Sequence, residues 1–383
     1  MKNIPIALLS ANPSFDWMTT IKKPPELLSL GIRFITILGL YGILVKANIW
    51  LTPLSNFLLV FGCRSFLIFS PSVVKTAKGY AVFVSVLIIF LGSLLLCFNK
   101  NLSSIIGTLL VGFGISTSGY LIRSRVAETA SGAAYNKMTA NAGLLLAGLV
   151  LSITHFHSRL IFFSLGCILF FIALALAFVD SRQSSPIVLH TSEFKGGRQT
   201  AGWSLIGIAV GIKLFGVYSV LPQYLIHTIK YLPDWYSMMV FANAATVILI
   251  QLPIMTIMEK VGKSYNAFKL ILAILLFGMF MIAFPSLFRV ETLLGALIWT
   301  TLLTTIECCS SYLDVEGYRS GFLLTKEIMI GAGGGIAVLL VRYFSPPYSN
   351  LILGILGALI IVFAVYSQHR NTERKDLHDL AER

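Results

Sequence analysis

The chain has 383 residues, 56% of them hydrophobic and only 12% charged, with a mean hydropathy of +0.84. A soluble domain carries about 25% charged residues, so a water-soluble fold is excluded: it would have no place for this much apolar surface. The net charge of +13 does not mark a nucleic-acid binder, because the basic residues are dispersed in short stretches between apolar runs, the pattern of membrane topology.

In chain order, residues 1–26 come first, with Asn12-Pro13 interrupting the only early apolar run and no small-residue cleavage site after it. This predicts a cytosolic arm and not a signal peptide. A helix needs about 20 mostly apolar residues to cross the bilayer core. Twelve segments qualify. Six lie near 27–46, 50–70, 80–98, 102–122, 137–156 and 160–178, and six near 201–224, 236–257, 267–285, 291–313, 322–343 and 349–367.

Between the sixth and seventh, DSRQSSPIVLHTSEFKGGRQT (180–200) is the one stretch composed like a linker, and residues 369–383 form a polar tail. The expected organisation is all-α and 6+6, with bundles over 27–179 and 201–368. Sorting the 29 Lys and Arg with both termini in the cytosol makes every cytosolic loop basic, as the positive-inside rule requires. A weak internal echo fits two related halves. Ser131-Gly132 with Lys137 recurs as Ser320-Gly321 with Lys326, each pair entering a small-residue helix.

The five cysteines, Cys63, Cys97, Cys167, Cys308 and Cys309, all fall in apolar runs without metal-ligand spacing, and read as buried free thiols. The histidines lie at helix ends, in loops and in the tail, so neither a metal site nor a cofactor is expected.

The second half contains LPQYL (221–225) followed by ILIQLPIMTIMEKVGKS (248–264), and then TIECCSSYLDVEGYRSGFLLTKEIMIGAGGG (305–335). These stretches resemble the seventh, eighth, tenth and eleventh helices of the major facilitator superfamily, the twelve-helix secondary transporters, and the last is similar to drug- and metabolite-exporter members. NAGLLLAG (141–148) is similar to the fifth-helix small-residue stretch but lacks the Gly-Pro pair of antiporters. SPSVVKTAKG (70–79) departs from the superfamily's Gly-rich loop after the second helix. The resemblance implies a cytosolic gate at Glu259, Lys260, Gly262 and Lys263, where an acidic group and basic groups at a helix end can latch one helix to the next. Simple interfacial anchoring would use the same residues.

Ionisable side chains inside a bilayer cost at least about 2.5–3.5 kcal/mol at a helix centre. Arg64, Lys213 and Glu307 therefore stand out, on the second, seventh and tenth spans, whereas the third, sixth, ninth and twelfth carry no charge over 80–98, 160–178, 270–284 and 350–367 and are expected to face lipid. Glu307 is the candidate for proton coupling. With Arg64 and Lys213 it is also a candidate for substrate binding, the two cations suiting an anionic group. A static ion pair with Lys213 or Arg64 is the structural alternative for Glu307; reaching for the interface is the alternative for Arg64 and the expected role of Arg33. Tyr41, Tyr120, Tyr218, Gln223, Asn243 and Gln251 are further candidates for the substrate site, each equally suited to an interhelix hydrogen bond or an interfacial anchor. Gly143, Gly148, Gly331, Gly333, Gly334 and Gly335 are expected to serve close helix packing.

The expected function is secondary transport of a small organic solute across the inner, plasma membrane by a monomer whose other partners are the lipid bilayer and a coupling proton. Proton-coupled efflux of a drug, metabolite or siderophore is the leading direction, and import of a nutrient or metal chelate is the other. There is no G-x-x-x-x-G-K-[ST] loop for direct ATP use. An intramembrane enzyme would want a carboxylate cluster or an H-E-x-x-H motif, and the sequence has neither. A receptor or scaffold would leave the buried charges without a purpose.

Overall fold

A computed structural model describes residues 29–38, 64, 66–69, 80–98, 101–154, 167–168, 170–178, 197–264 and 267–381. The expected arm, the linker over 180–196, the loop at 70–79, most of the first and second spans, and Tyr41 lie outside these residues. The described chain is helical and contains no strand. Its helices are α1 (Ser29–Leu38), α2 (Ala81–Cys97), α3 (Asn101–Val126), α4 (Ala130–Thr154), α5 (170–178), α6 (Arg198–Ile229), α7 (Tyr236–Ser264), α8 (Ala267–Ala283), α9 (Leu293–Ser310), α10 (Tyr312–Ser320), α11 (Leu323–Tyr343) and α12 (Tyr348–Ala381). These labels number helical pieces. α9 and α10 together form one membrane-capable stretch, Leu293–Ser320, one of six among the described residues.

Local chemistry sets the breaks. The Thr292 hydroxyl accepts a hydrogen bond from Gly295 N at 3.1 Å and starts α9. Thr129 does the same for Gly132 N at 3.1 Å at the start of α4, because the first N–H groups of a helix have no partner within it. Between α10 and α11 the chain turns through Gly321 at φ 78°, a left-handed position that glycine adopts without a Cβ clash. Pro222 and Pro253 sit inside α6 and α7, as packed membrane helices permit.

Helices run on past the ends that hydropathy predicts. α6 extends to Ile229, α7 to Ser264 and α12 to Ala381, so residues expected as a tail continue the last helix. α4 begins at Ala130, and α10 carries the tenth span to Ser320. These extensions decide which charges lie inside.

The largest apolar cluster lies mostly in the second half and includes Trp203, Ile212, Met255, Leu272, Met279, Trp299 and Leu353, joined by Ala130, Ala133 and Ala134 of α4. Trp299 buries its ring and donates its Nε1 proton to the Met281 carbonyl at 3.0 Å, so the indole's one polar atom is satisfied. α6 packs along α11 and α12, α2 along α3, and α8 along α12, while α4 lies against α7 and so joins the two halves of the chain.

Glycines set the tightest of these contacts. A Cβ on Gly333 would stand 2.0 Å from the Ile208 carbonyl oxygen, and one on Gly211 would stand 2.2 Å from that of Ile330, so α6 and α11 touch backbone to backbone. The outward faces of α8 and α12 expose Phe277, Phe280, Ile355, Leu359, Val362 and Phe363, the lipid-facing surface expected of the ninth and twelfth spans.

Candidate functional site

Glu307 lies on α9, thirteen residues before the end of α10, or roughly 20 Å by helical rise. Lys213 lies fifteen residues into α6, at roughly the same depth. The sequence places Glu307 only about 10 Å from the helix end and has Lys213 straining to reach it. Because α10 prolongs the span, the two sit level instead, with Lys213 Nζ 3.6 Å from Glu307 Oε2. Lys137, about two turns into α4, pairs with the other carboxylate oxygen, Oε1. The static-pair alternative named Lys213 or Arg64 for Glu307; the partners are Lys213 and Lys137.

This trio is buried unevenly. The side chains of Lys137 and Glu307 are 25% and 10% exposed, whereas that of Lys213 is 1% exposed. At 3.6 Å the Lys213 ammonium is beyond hydrogen-bond distance of the carboxylate, and its Nζ has no hydrogen-bond partner among the described residues. α7 supplies the neighbouring polar groups. Thr304 donates to Asn243 Oδ1, and Gln251 Nε2 donates to the carbonyl of Cys308 at 3.3 Å. Asn243 and Gln251 thus flank Glu307 along α9. Both expected candidates are interhelix hydrogen-bond partners, the alternative role that the sequence allows them.

A second cluster lies nearer the helix ends. Arg64 and Arg123 both pair with Glu327 of α11. Arg123 Nε also approaches Asp314 Oδ2 of α10 at 3.6 Å, and Lys326 pairs with Asp314 while lying 3.5 Å from Glu327. Two cations of the first half therefore meet two carboxylates of the second. Arg64 does not reach for the interface: it points into this cluster. Arg33 is likewise buried, with its guanidinium against Gly119.

Sequence reasoning missed Arg123, Lys137, Asp314, Lys326 and Glu327 as site residues: the first three sit at or just beyond the ends that hydropathy draws, and Lys326 and Glu327 lie in the first turns of the eleventh span, where interfacial charges are ordinary. One signal was available. Lys137 and Lys326, the lysines of the internal echo, both pair with acids of the tenth span, Glu307 and Asp314.

The remaining candidates stand apart. Tyr120 is buried near Leu67, Leu323 and Leu324. Gln223 is exposed on α6, Glu259 is half-buried and Lys260 exposed near the end of α7. Gly262 continues that helix. The side chains of Tyr218 and Lys263 lie outside the described residues. Cys308 is buried, and Cys167, Cys308 and Cys309 are free thiols. No group of three or more potential metal ligands occurs among the described residues.

No protein-family model and no curated protein matches the sequence. Solved structures do. The Escherichia coli fucose:proton symporter FucP superposes with a TM-score of 0.60 at 14% identity, over 90% of this chain and 98% of that one. A second structure of FucP, described as a major facilitator superfamily transporter in the outward conformation, gives 0.57 at 13% identity over 90% and 99%. The chain is thus a multi-pass membrane protein. Its fold is that of the major facilitator superfamily, as the second-half motifs led one to expect.

Proposed function

We propose that the chain is a secondary active transporter that moves a small organic solute by alternating access between two six-helix bundles, with both termini in the cytosol. The observation that carries this reading is the cluster joining Arg64 and Arg123 of the first half to Asp314 and Glu327 of the second. Opposed charges at one end of a two-bundle interface are a contact that closes when paired and opens when separated. The Lys137–Glu307–Lys213 trio, deeper along the span that α9 and α10 form, is the solute and proton site behind that gate. This cluster is a gate alongside the latch expected of Glu259, Lys260, Gly262 and Lys263.

Glu307 carries the proton: of the carboxylates that pair with cations of both halves it lies deepest in its span, between Lys137 and Lys213. The resemblance of residues 305–335 to exporters favours efflux of a drug, metabolite or siderophore from a monomer in the inner membrane. The alternative is proton-coupled uptake of a nutrient or metal chelate, favoured by a solved neighbour being a proton symporter. A non-transporting receptor or intramembrane enzyme would not need ion pairs between the halves.

The test is reconstitution in vesicles containing a pH-sensitive dye, with organic solutes presented on either side. A solute-dependent proton flux is expected, and its sign gives the direction. Absence of flux with every solute, together with cross-links across Arg64 and Glu327 that never become breakable by solute, would remove the transporter reading.

A further inference from the structure

The two ionic clusters hold five cations, Arg64, Arg123, Lys137, Lys213 and Lys326, against three carboxylates, Glu307, Asp314 and Glu327. Each cluster holds one cation more than its carboxylates, but the two engage their cations differently. In the outer cluster every guanidinium and ammonium touches a carboxylate oxygen. In the inner trio a single carboxylate serves two ammoniums, and Lys213, the more deeply buried, has no hydrogen-bond partner among the described residues. An ammonium has three protons to donate, and leaving them unused in a buried site is costly.

We infer that the solute is a small organic anion whose carboxylate or phosphate group docks between Lys213 and Lys137, entering from the partly exposed Lys137 side and taking the place of Glu307 as their counter-ion. The inference deepens the transporter reading and rests on it. When Glu307 accepts a proton, it ceases to neutralise the two ammoniums, and an incoming anion restores the balance. Proton and anion then bind together, each raising the affinity for the other by the same factor.

Few other groups face Glu307. From α4 there is Lys137 and from α6 Lys213. α7 contributes the uncharged Gln251 and Asn243, and Cys308 and Cys309 adjoin Glu307 on its own helix. α8 carries only Lys269, which is exposed. Asp314 of α10 is already engaged by Lys326 and Arg123.

The experiment is calorimetric titration of the purified full-length protein in detergent. The probes are L-lactate, citrate, glycerol 3-phosphate and inorganic phosphate, with L-fucose as a neutral probe, choline as a cation, and phosphatidylglycerol to separate a lipid headgroup from a soluble anion. At least one soluble anion should bind, about tenfold or more tightly at pH 5.5 than at pH 7.5, and carboxylates against phosphates distinguish the group taken. Lys213→Met should weaken that binding tenfold or more, and Glu307→Gln should bind the anion with an affinity that no longer depends on pH. Should Lys213→Met not fold, Lys137→Met gives the same reading from the exposed side.

Binding of only choline, L-fucose or phosphatidylglycerol, no binding of any anion, or anion binding untouched by both lysine variants overturns the inference. Vesicle transport of a neutral or cationic solute would leave the transporter standing while removing the anion site. Anion binding without any transport would do the reverse.

Discussion

Arg123 at the end of α3 and Glu327 in α11 form an ion pair that ties the first half of the chain to the second. Glu327 also receives Arg64, so one carboxylate anchors two guanidiniums from two different spans. Removing it should cost more than removing either arginine. Breaking a buried pair by deleting one partner costs about 3–5 kcal/mol. Glu327→Gln is expected to lower the unfolding midpoint in detergent clearly more than Arg64→Gln, because Arg123 still neutralises Glu327 in the latter. Equal effects in thermal denaturation would mean that the cluster does not act through Glu327.

The same pair should control access to the inner trio. Cys308 is buried beside Glu307, which makes it a native reporter. In a protein whose other four cysteines are serine, Cys308 is expected to react slowly with a membrane-impermeant maleimide. Glu327→Gln should accelerate that reaction about tenfold, the consequence of a shift of roughly 1.4 kcal/mol towards the open state. An unchanged rate, with the fold intact, would show that the outer cluster is not a gate.

Glu307→Gln should abolish gradient-driven movement of solute in vesicles while the protein remains inserted and folded. The amide keeps the volume of the side chain and a hydrogen-bond acceptor but can no longer exchange a proton. Transport with its pH dependence retained would return Glu307 to the role of a fixed counter-ion.

The α6–α11 contact makes a prediction about packing. Gly333→Ala places a methyl group 2.0 Å from the Ile208 carbonyl oxygen, a backbone atom that cannot step aside, and overpacking of this kind costs about 1–3 kcal/mol. At Gly216 the nearest atom to an added Cβ is Ile282 Cδ1 at 3.5 Å, so Gly216→Ala should be tolerated. Comparable melting curves for the two variants would contradict the close approach of the helices.

Asn243 and Thr304 should be coupled. Interhelix hydrogen bonds of membrane proteins average about 0.6 kcal/mol and reach about 1.7. A double-mutant cycle with Asn243→Ala and Thr304→Ala is expected to return a coupling in that range. A coupling of zero would make the contact between α7 and α9 purely apolar.

Much of the fold was legible before any coordinates. The apolar runs marked α3, α6, α7, α9, α11 and α12, since only a helix can satisfy its own backbone in lipid. The absence of charge over 270–284 and 350–367 marked outward faces, now seen on α8 and α12. Glu307 and Lys213 stood out individually because a charge amid apolar neighbours is expensive. Their partners did not. Lys137, Arg123, Asp314 and Glu327 look in sequence like ordinary interfacial charges; the extension of α3, α4 and α10 beyond the apolar windows turns the first three inward, and Glu327, a turn inside α11, meets Arg123 there.

The sequence by itself determined that this chain crosses a membrane many times and that a few ionised groups must be hidden within it. Both follow from transfer free energies that each segment carries locally. The tertiary structure alone decided which charges meet: Arg64 and Arg123 with Glu327, and Lys137 and Lys213 with Glu307. Ion pairing depends on where helices distant in sequence stop and touch, and close contacts such as Gly333 on Ile208 set those positions, not the hydropathy of any one segment.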